Sequence, residues 1–313
     1  MSDFVSAIIT THNRRELVKC AIDSVLAQTY KNIECIVVDD ASTDGTKEYL
    51  NNYILESKIK YLYINQRESK GGNHARNIGI QVANGKYVAF LDDDDEWLPH
   101  KIERQMKIVA ENFDINFVYC GKIWETDFDV NSRFEDLILD SKYKSGDLSR
   151  EVLIHIISTT STILVLRQLL LDVGGFDENL NYWQEYELSI RLLQCTKVGI
   201  VRENLVLYRV VNSDKKRLSN NLAGWEKAVE YIYEKHKVLY AKLTRQQLAE
   251  REFYYCIDGI NRARKVKNWI VFLKFLVKIL FSPRVLKIAI LKYIRKIRVV
   301  LNLSKMILVC FTL

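Results

Sequence analysis

Residues 87–97 read Tyr-Val-Ala-Phe-Leu-Asp-Asp-Asp-Asp-Glu-Trp, an apolar run of strand length that stops at four consecutive carboxylates. Valine and aromatic residues bounded by polar positions favour a strand. The carboxylates that follow, Asp92 to Asp95, repel one another strongly unless a cation is present. A hard divalent ion with oxygen ligands, Mg2+ or Mn2+, relieves that repulsion and can hold a diphosphate at the same time. The plainer alternative is that Asp94 or Asp95 caps a helix starting near Trp97 and Pro99 while the other acids are solvated.

What lies upstream favours the metal. Residues 5–10, 34–38 and 61–64 are further strand-like runs, and 14–28, 46–56 and 73–83 between them carry apolar residues at helical spacing, as in Leu17, Ala21 and Val25. Alternation of this kind predicts a parallel, doubly wound sheet, with ligands bound at the carboxyl ends of its strands. The first strand ends in Thr10-Thr11-His12-Asn13 and the second in Asp39-Asp40, so both meet the acidic run at one edge. Downstream, 116–122 is strand-like, 125–147 is a polar stretch read as a loop or inserted piece, and order returns at 161–167. After the Gly174-Gly175 turn a helix is expected over 185–195, and from about 222 onward the pattern is helical only.

Five ordered blocks carry a family resemblance. They are Val5-Ser6-Ala7-Ile8-Ile9-Thr10-Thr11-His12-Asn13-Arg14, the run from Val37 to Thr46, Gly72-Asn73-His74-Ala75-Arg76-Asn77-Ile78-Gly79, the acidic block, and Gly174 to Glu178 with the run 184–192. Together they resemble the family 2 inverting glycosyltransferases of bacterial cell-surface polysaccharide synthesis, over roughly the first 210 residues. The resemblance implies the GT-A fold, a Rossmann-like nucleotide-diphospho-sugar transferase, and a nucleotide-sugar donor with UDP as the first expectation. It implies that Thr10, His12 and Asp40 receive the nucleotide and that Arg76 lies beside it. The D-x-D motif maps onto Asp92-Asp93-Asp94, with Asp92 on ribose or metal, Asp93 within the donor site and Asp94 as the main metal ligand.

The last block departs from the family pattern. Where relatives commonly read Glu-Asp, with Asp as general base, alignment on Leu188 and Arg191 places Gln184 and Glu185. Glu185 is the expected base, since its carboxylate does the same work with one more methylene of reach. Glu187 is the fallback, with an ordinary exposed helix acid as its structural reading. If neither reaches the acceptor, the chain would be a non-catalytic sugar-nucleotide-binding or scaffolding relative. Tyr182, Trp183 and Tyr186 can form a platform for a sugar ring or simply pack.

Charge divides the chain. Between residues 259 and 313 there are 13 Lys and Arg and no acid, leaving 33 basic against 39 acidic residues elsewhere. Trp269 to Phe281 is apolar apart from Lys274 and Lys278, and after Pro283 the positions Leu286, Ile290, Tyr293, Ile297 and Leu301 line one helical face. Arg284, Lys287, Arg295, Arg298 and Lys305 fall mainly opposite. No stretch reaches the ~18 uncharged apolar residues of a membrane span. The expectation is an amphipathic helix lying on the inner face of the cell membrane, basic residues against anionic headgroups. The competing fate of such a face is packing on the body or on a second subunit, giving a homo-oligomer. Nucleic acid is disfavoured, because the residues between the charges are Leu, Ile, Val and Phe.

Six cysteines without a C-x-x-C pair, and a start lacking a basic and apolar leader, point to a reduced, cytoplasmic setting. The expected organisation is a catalytic domain over 1–215, a helical region over 216–265 and membrane-associating helices over 266–313. The acceptor, a hydroxyl of a glycan or lipid-linked glycan, is left to the stretch 125–182.

Overall fold

The computed structural model describes residues 3–135, 144–210 and 221–292. They fall into two compact units, one of residues 1–152 and 156–216, the other of 153–155 and 217–313.

The first unit opens with β1 (Val5–Thr11), α1 (Arg15–Leu26), β2 (Ile33–Asp40), α2 (Thr46–Tyr49), α3 (Asn51–Leu55), β3 (Lys60–Ile64), α4 (Gly72–Val82) and β4 (Tyr87–Asp92). β2, β1 and β4 are apolar on both faces, as strands covered by helices on each side must be. The order β3-β2-β1-β4 is parallel, and its register sets Thr10 beside both Val38 and Asp92. The carboxyl ends of three strands therefore finish at one level.

Beyond β4 the sheet is mixed rather than wholly parallel. β5 (Glu96–Trp97), α5 (Lys101–Glu111), β6 (Ile115–Thr126), β7 (Asp129–Glu135), β8 (Ile163–Leu166), α6 (Arg167–Asp172), α7 (Gln184–Leu192) and β9 (Lys197–Val210) complete the unit. β8 runs antiparallel to β4, β6 antiparallel to β8, β9 parallel to β6, and β5 antiparallel to β9. A further expectation is corrected here. Residues 125–135 are the end of β6 and the hairpin strand β7, not a loop. β9, the longest strand among the described residues, is built on the strand-forming runs Val198-Gly199-Ile200-Val201 and Leu205-Val206-Leu207-Tyr208.

The second unit holds α8 (Leu222–Lys235), α9 (Lys237–Tyr240), α10 (Arg245–Lys265) and α11 (Trp269–Leu280), and residues 283–292 are again helical. Thr244 and Gln247 form a capping box that starts α10. Phe275 of α11 is buried against Gly259 of α10, where any side chain would collide with its ring. Trp225 and Tyr255 stack beside it at 5.3 Å. Lys274 and Lys278 are tied to Glu226 and Glu252, so these two lysines are engaged within the unit. Among the described residues no helix is long and apolar enough to cross a membrane. Tyr293, Arg295, Ile297, Arg298, Leu301 and Lys305 lie outside the described residues, as does Cys310.

Candidate active site

The edge at which β1, β2 and β4 end is built from turns that staple the strand ends together. Asn13, left-handed with φ 53°, donates its amide N–H to Ser42 Oγ at 2.8 Å and accepts the Thr43 N–H at 2.7 Å. The exposed His12 ring donates from Nδ1 to the Asp40 carbonyl at 2.5 Å, while Nε2 accepts from the Asn13 amide at 2.9 Å. Those contacts define the neutral tautomer with its proton on Nδ1. Thr10, near the end of β1, is half-buried.

Asp39 and Asp40 do different things. Asp39 is fully buried and accepts from the Ser42 N–H at 2.8 Å and the Tyr61 hydroxyl at 2.5 Å, so it holds the turn. Asp40 spends one oxygen on the Gly71 N–H at 2.9 Å, and its other, Oδ1, is buried without a hydrogen-bond partner. A buried carboxylate oxygen left open costs several kcal/mol-scale desolvation unless a donor arrives, which makes it a ready acceptor for a ligand N–H. Gly71 approaches with φ 91°, a conformation that favours glycine.

The acidic run alternates. Asp92 and Asp94 stay partly open, with side chains 31% and 21% exposed, whereas Asp93 is 7% exposed. Asp93 turns inward to accept from Thr11 Oγ1 at 2.8 Å and Arg14 Nη1 at 3.0 Å. Burial pushes its carboxyl up to about 6; Arg14 opposes that shift and Asp94 adds to it. Asp95, also buried, accepts from Ser161 Oγ at 2.6 Å and the Arg209 N–H at 3.0 Å. Burial, and then the charges of Asp94 and Asp92, raise its carboxyl well above the usual range. Asp93 is thereby a tie between strand ends rather than an open donor contact. Neither Asp94 nor Asp95 caps a helix, since α5 begins only at Lys101 with His100 as its N-cap residue.

Arg76 is buried on α4, donates to Asp92 Oδ1 at 2.6 Å and Asn73 Oδ1 at 3.3 Å, and lies 5.4 Å over the Phe176 ring. It is no surface charge. Asn73 and Asn77 in turn hold the turn after Gly175 through the carbonyls of Asp177, Leu180 and Phe176.

That turn delivers α7. Trp183, its N-cap residue, is left-handed with φ 55° and meets Tyr186 edge-on at 5.3 Å. Tyr186 is buried, so it packs; Tyr182 and Trp183 remain partly open. Glu185 is half-buried, and burial raises its carboxyl; the charge of Asp92 raises it further, while Arg76 and Lys122 pull it down. Its carboxylate therefore shares an electrostatic environment with the D-x-D edge. Glu187 does not have that freedom. It is fully buried, not an exposed helix acid, and both its oxygens are held by Arg191, Nε to Oε1 at 2.9 Å and Nη2 to Oε2 at 2.5 Å.

Among the described residues, no three His, Cys, Asp or Glu side chains converge as a ready metal centre. Asp92 and Asp94 supply two carboxylates instead. That suits Mg2+ or Mn2+, which commonly take one or two protein carboxylates and complete their shell with substrate phosphates and water.

Arg14, Thr11, Ser161 and Arg209 escaped the sequence reading. Arg14 stood in plain view, a cation three residues past the end of the first strand and opposite an acidic run. Ser161 and Arg209 reach Asp95 across 66 and 114 residues, and nothing local announces them.

A mixed sheet with an acidic edge between β1 and β4, covered by helices on both faces, is the architecture of the GT-A fold. Residues 6–170 match the model of the family described as Glycosyl transferase family 2. An uncharacterized glycosyltransferase of Rickettsia typhi is 32% identical over 270 residues, covering 82% of this chain and 81% of that one. The chain therefore belongs to glycosyl transferase family 2. Over a shorter stretch it is similar to WfaP of Escherichia coli, a UDP-Glc:alpha-D-GlcNAc-diphosphoundecaprenol beta-1,3-glucosyltransferase, at 39% identity over 132 residues, 42% of this chain and 51% of that one. Staphylococcus aureus TarS in complex with UDP-GlcNAc superposes with a TM-score of 0.57 at 17% identity, covering 89% of this chain and 73% of that one. The mannosyltransferase PcManGT from Pyrobaculum calidifontis, in complex with GDP-Man and Mn2+, gives 0.53 at 18%, with coverage of 91% and 82%. At such identities the two structures bear on the fold alone.

Proposed function

We propose that this glycosyltransferase is inverting and metal-dependent, and that it moves a sugar from a UDP-sugar to a hydroxyl of a lipid-linked glycan at the inner membrane face. The observation that carries the reading is the partly exposed pair Asp92 and Asp94 at the strand ends together with Glu185, a half-buried carboxylate under the electrostatic influence of Asp92. UDP as the nucleotide and a lipid-linked acceptor follow the activity for which the Escherichia coli relative is named.

Asp40 Oδ1 is the expected acceptor for an N–H of the base, His12 the side chain against the base, and Thr10 a neighbour of the ribose. Asp92 and Asp94 would hold Mg2+ or Mn2+, which supplies positive charge to the departing diphosphate when bound. Arg76 orients Asp92 from below. Asp93, already tied to Thr11 and Arg14, keeps the two outer carboxylates apart and turned outward. Glu185 takes the proton from the acceptor hydroxyl as that oxygen attacks the anomeric carbon from the face opposite the leaving nucleotide. One displacement of this kind inverts the anomeric configuration. A raised carboxyl suits a base, because proton transfer is best driven when the catalytic pKa approaches the working pH.

For the membrane surface, the supporting feature is the outer seam of α11. Trp269, Ile270, Leu273, Val277 and Leu280, with Phe281 after it, recur at helical spacing and are all exposed, Ile270 and Phe281 at 83%. A seam of this kind can enter the headgroup boundary. The test of the site is calorimetric titration of UDP with and without Mn2+ into the wild type and Asp94→Ala. Metal-dependent binding in the wild type alone supports the proposal; identical metal-independent binding in both would sink the D-x-D assignment.

A further inference from the structure

Asp92 to Asp95 form one tight turn, closed by the Asp95 N–H donating to the Asp92 carbonyl at 3.1 Å. Asp93 and Asp94 are its two central residues, so the shape of this turn sets where the carboxylates at 92 and 94 project. A single hydroxyl clasps the turn a second time. Ser161, fully buried on the short helical turn Thr160–Thr162, accepts the Asp92 N–H at 3.2 Å and donates to Asp95 Oδ2 at 2.6 Å. It therefore bridges the first and fourth residues, in parallel with the backbone bond.

The serine is itself held from two sides. Its carbonyl accepts the Trp97 Nε1–H at 2.9 Å, which ties it to the strand that leaves the acidic turn. Next to it, the Thr162 carbonyl accepts from Gln105 Nε2 at 2.8 Å, and the same amide nitrogen donates to the Val118 carbonyl at 3.2 Å. Gln105 Oε1 accepts from Lys101 Nζ at 2.9 Å, and both side chains are fully buried on α5. Unmade hydrogen bonds are costly at such depth, so these bonds keep Thr160–Thr162 in place. The Ser161 hydroxyl adds nothing to that anchoring, because both of its hydrogen bonds end on the acidic turn.

We propose that Ser161 is a positioning residue for the divalent metal: it fixes the Asp92–Asp95 turn in the shape that turns Asp95 inward and leaves Asp92 and Asp94 outward. This rests on the metal-dependent reading above. Without the hydroxyl the turn keeps only its backbone clasp, and Asp95 keeps only the Arg209 N–H at 3.0 Å. Losing a partner that orients metal-binding side chains commonly weakens metal binding by about 10- to 100-fold.

The test reads the Mn2+ concentration that gives half-maximal UDP binding to the full chain. In Ser161→Ala it should rise by about tenfold or more, while UDP affinity measured without metal stays at the wild-type value. Ser24→Ala is the structural control. Ser24 is buried beside the same strand, its Oγ accepting the Trp97 N–H at 3.1 Å and donating to the Ala21 carbonyl at 2.7 Å, and neither bond reaches Asp92 to Asp95. That variant should lower the melting midpoint and leave the metal requirement unchanged. Ser161→Cys, which keeps a weak S–H donor, should fall between wild type and Ser161→Ala, and it carries the test if the alanine variant does not fold. A wild-type metal requirement in the Ser161 variants, or an equal rise in Ser24→Ala, would overturn the inference. UDP binding that ignores Mn2+ in the wild type would remove the D-x-D reading along with it.

Discussion

Exchanging the two glutamates of α7 for glutamine, one at a time, separates chemistry from structure. Glu187 is fully buried and Arg191 is 18% exposed, and the pair is closed by contacts at 2.5, 2.9 and 3.1 Å. Removing one partner of a buried ion pair costs about 3–5 kcal/mol, mostly because the other charge stays behind. Arg191 also donates to the Val173 carbonyl at 2.6 Å and retains some solvent, so the lower end, about 3 kcal/mol, is expected for Glu187→Gln. For a catalytic unit of this size that lowers the melting midpoint by roughly 6–12 °C. Turnover per folded molecule should change little.

Glu185→Gln should do the reverse. Losing a general base lowers kcat by about 10^2- to 10^4-fold, and UDP affinity should remain. Because burial raises the Glu185 carboxyl in the fold, its ionised form is disfavoured there. Stability from this group is therefore greatest at low pH and is lost as pH rises through the folded value, so the glutamine variant should melt no lower than wild type at neutral pH. For the same reason the acid limb of the wild-type pH–rate profile should stand above the range of an ordinary glutamate. The assay is UDP release together with a thermal melt on each variant. A stable, nucleotide-binding Glu187→Gln protein without turnover, beside a fully active Glu185→Gln, would refute the assignment of both residues.

Three further outcomes are expected. Ala41 is buried and left-handed with φ 64°, so Ala41→Gly should stabilise the chain by up to about 1 kcal/mol in urea unfolding, strain relief exceeding the entropy cost of glycine; destabilisation would show that the Ala41 methyl contributes more by packing. Lys101 is fully buried over the Trp97 ring, and burial pushes its ammonium down to about 8. Between that value and the unfolded ~10.4 the unfolded chain binds the extra proton, so wild type should gain stability relative to Lys101→Met as pH rises through this window, by roughly 3 kcal/mol at most; parallel curves would contradict it. Replacing Ile270, Leu273 and Val277 by serine should release the protein from anionic vesicles in a co-sedimentation assay while UDP binding persists, and unchanged sedimentation would count against α11 as the membrane face.

Where sequence reading succeeded, the information was local. A strand that stops at four aspartates, a second that stops at Asp39-Asp40 and a third at Thr10-Thr11-His12-Asn13 mark a shared edge, because βα alternation brings carboxyl ends together whatever lies farther away. Helical spacing likewise located α1, α4 and α7 to within a few residues. Backbone pattern could not decide which carboxylates of the acidic run turn inward, since that depends on partners distant in sequence. Thr11 and Arg14 turn Asp93 inward, Ser161 and Arg209 turn Asp95 inward, and Asp92 and Asp94 are left at the surface. Arg191 closes over Glu187 and leaves Glu185 as the available carboxylate, a choice the spelling Gln-Glu-Tyr-Glu does not contain. The sequence by itself determined the fold type and the edge at which the acidic strand ends meet, because hydrophobic period and strand order are encoded residue by residue. Only the tertiary structure decided which carboxylates remain open, because pairing and desolvation are settled between residues as far as 114 positions apart.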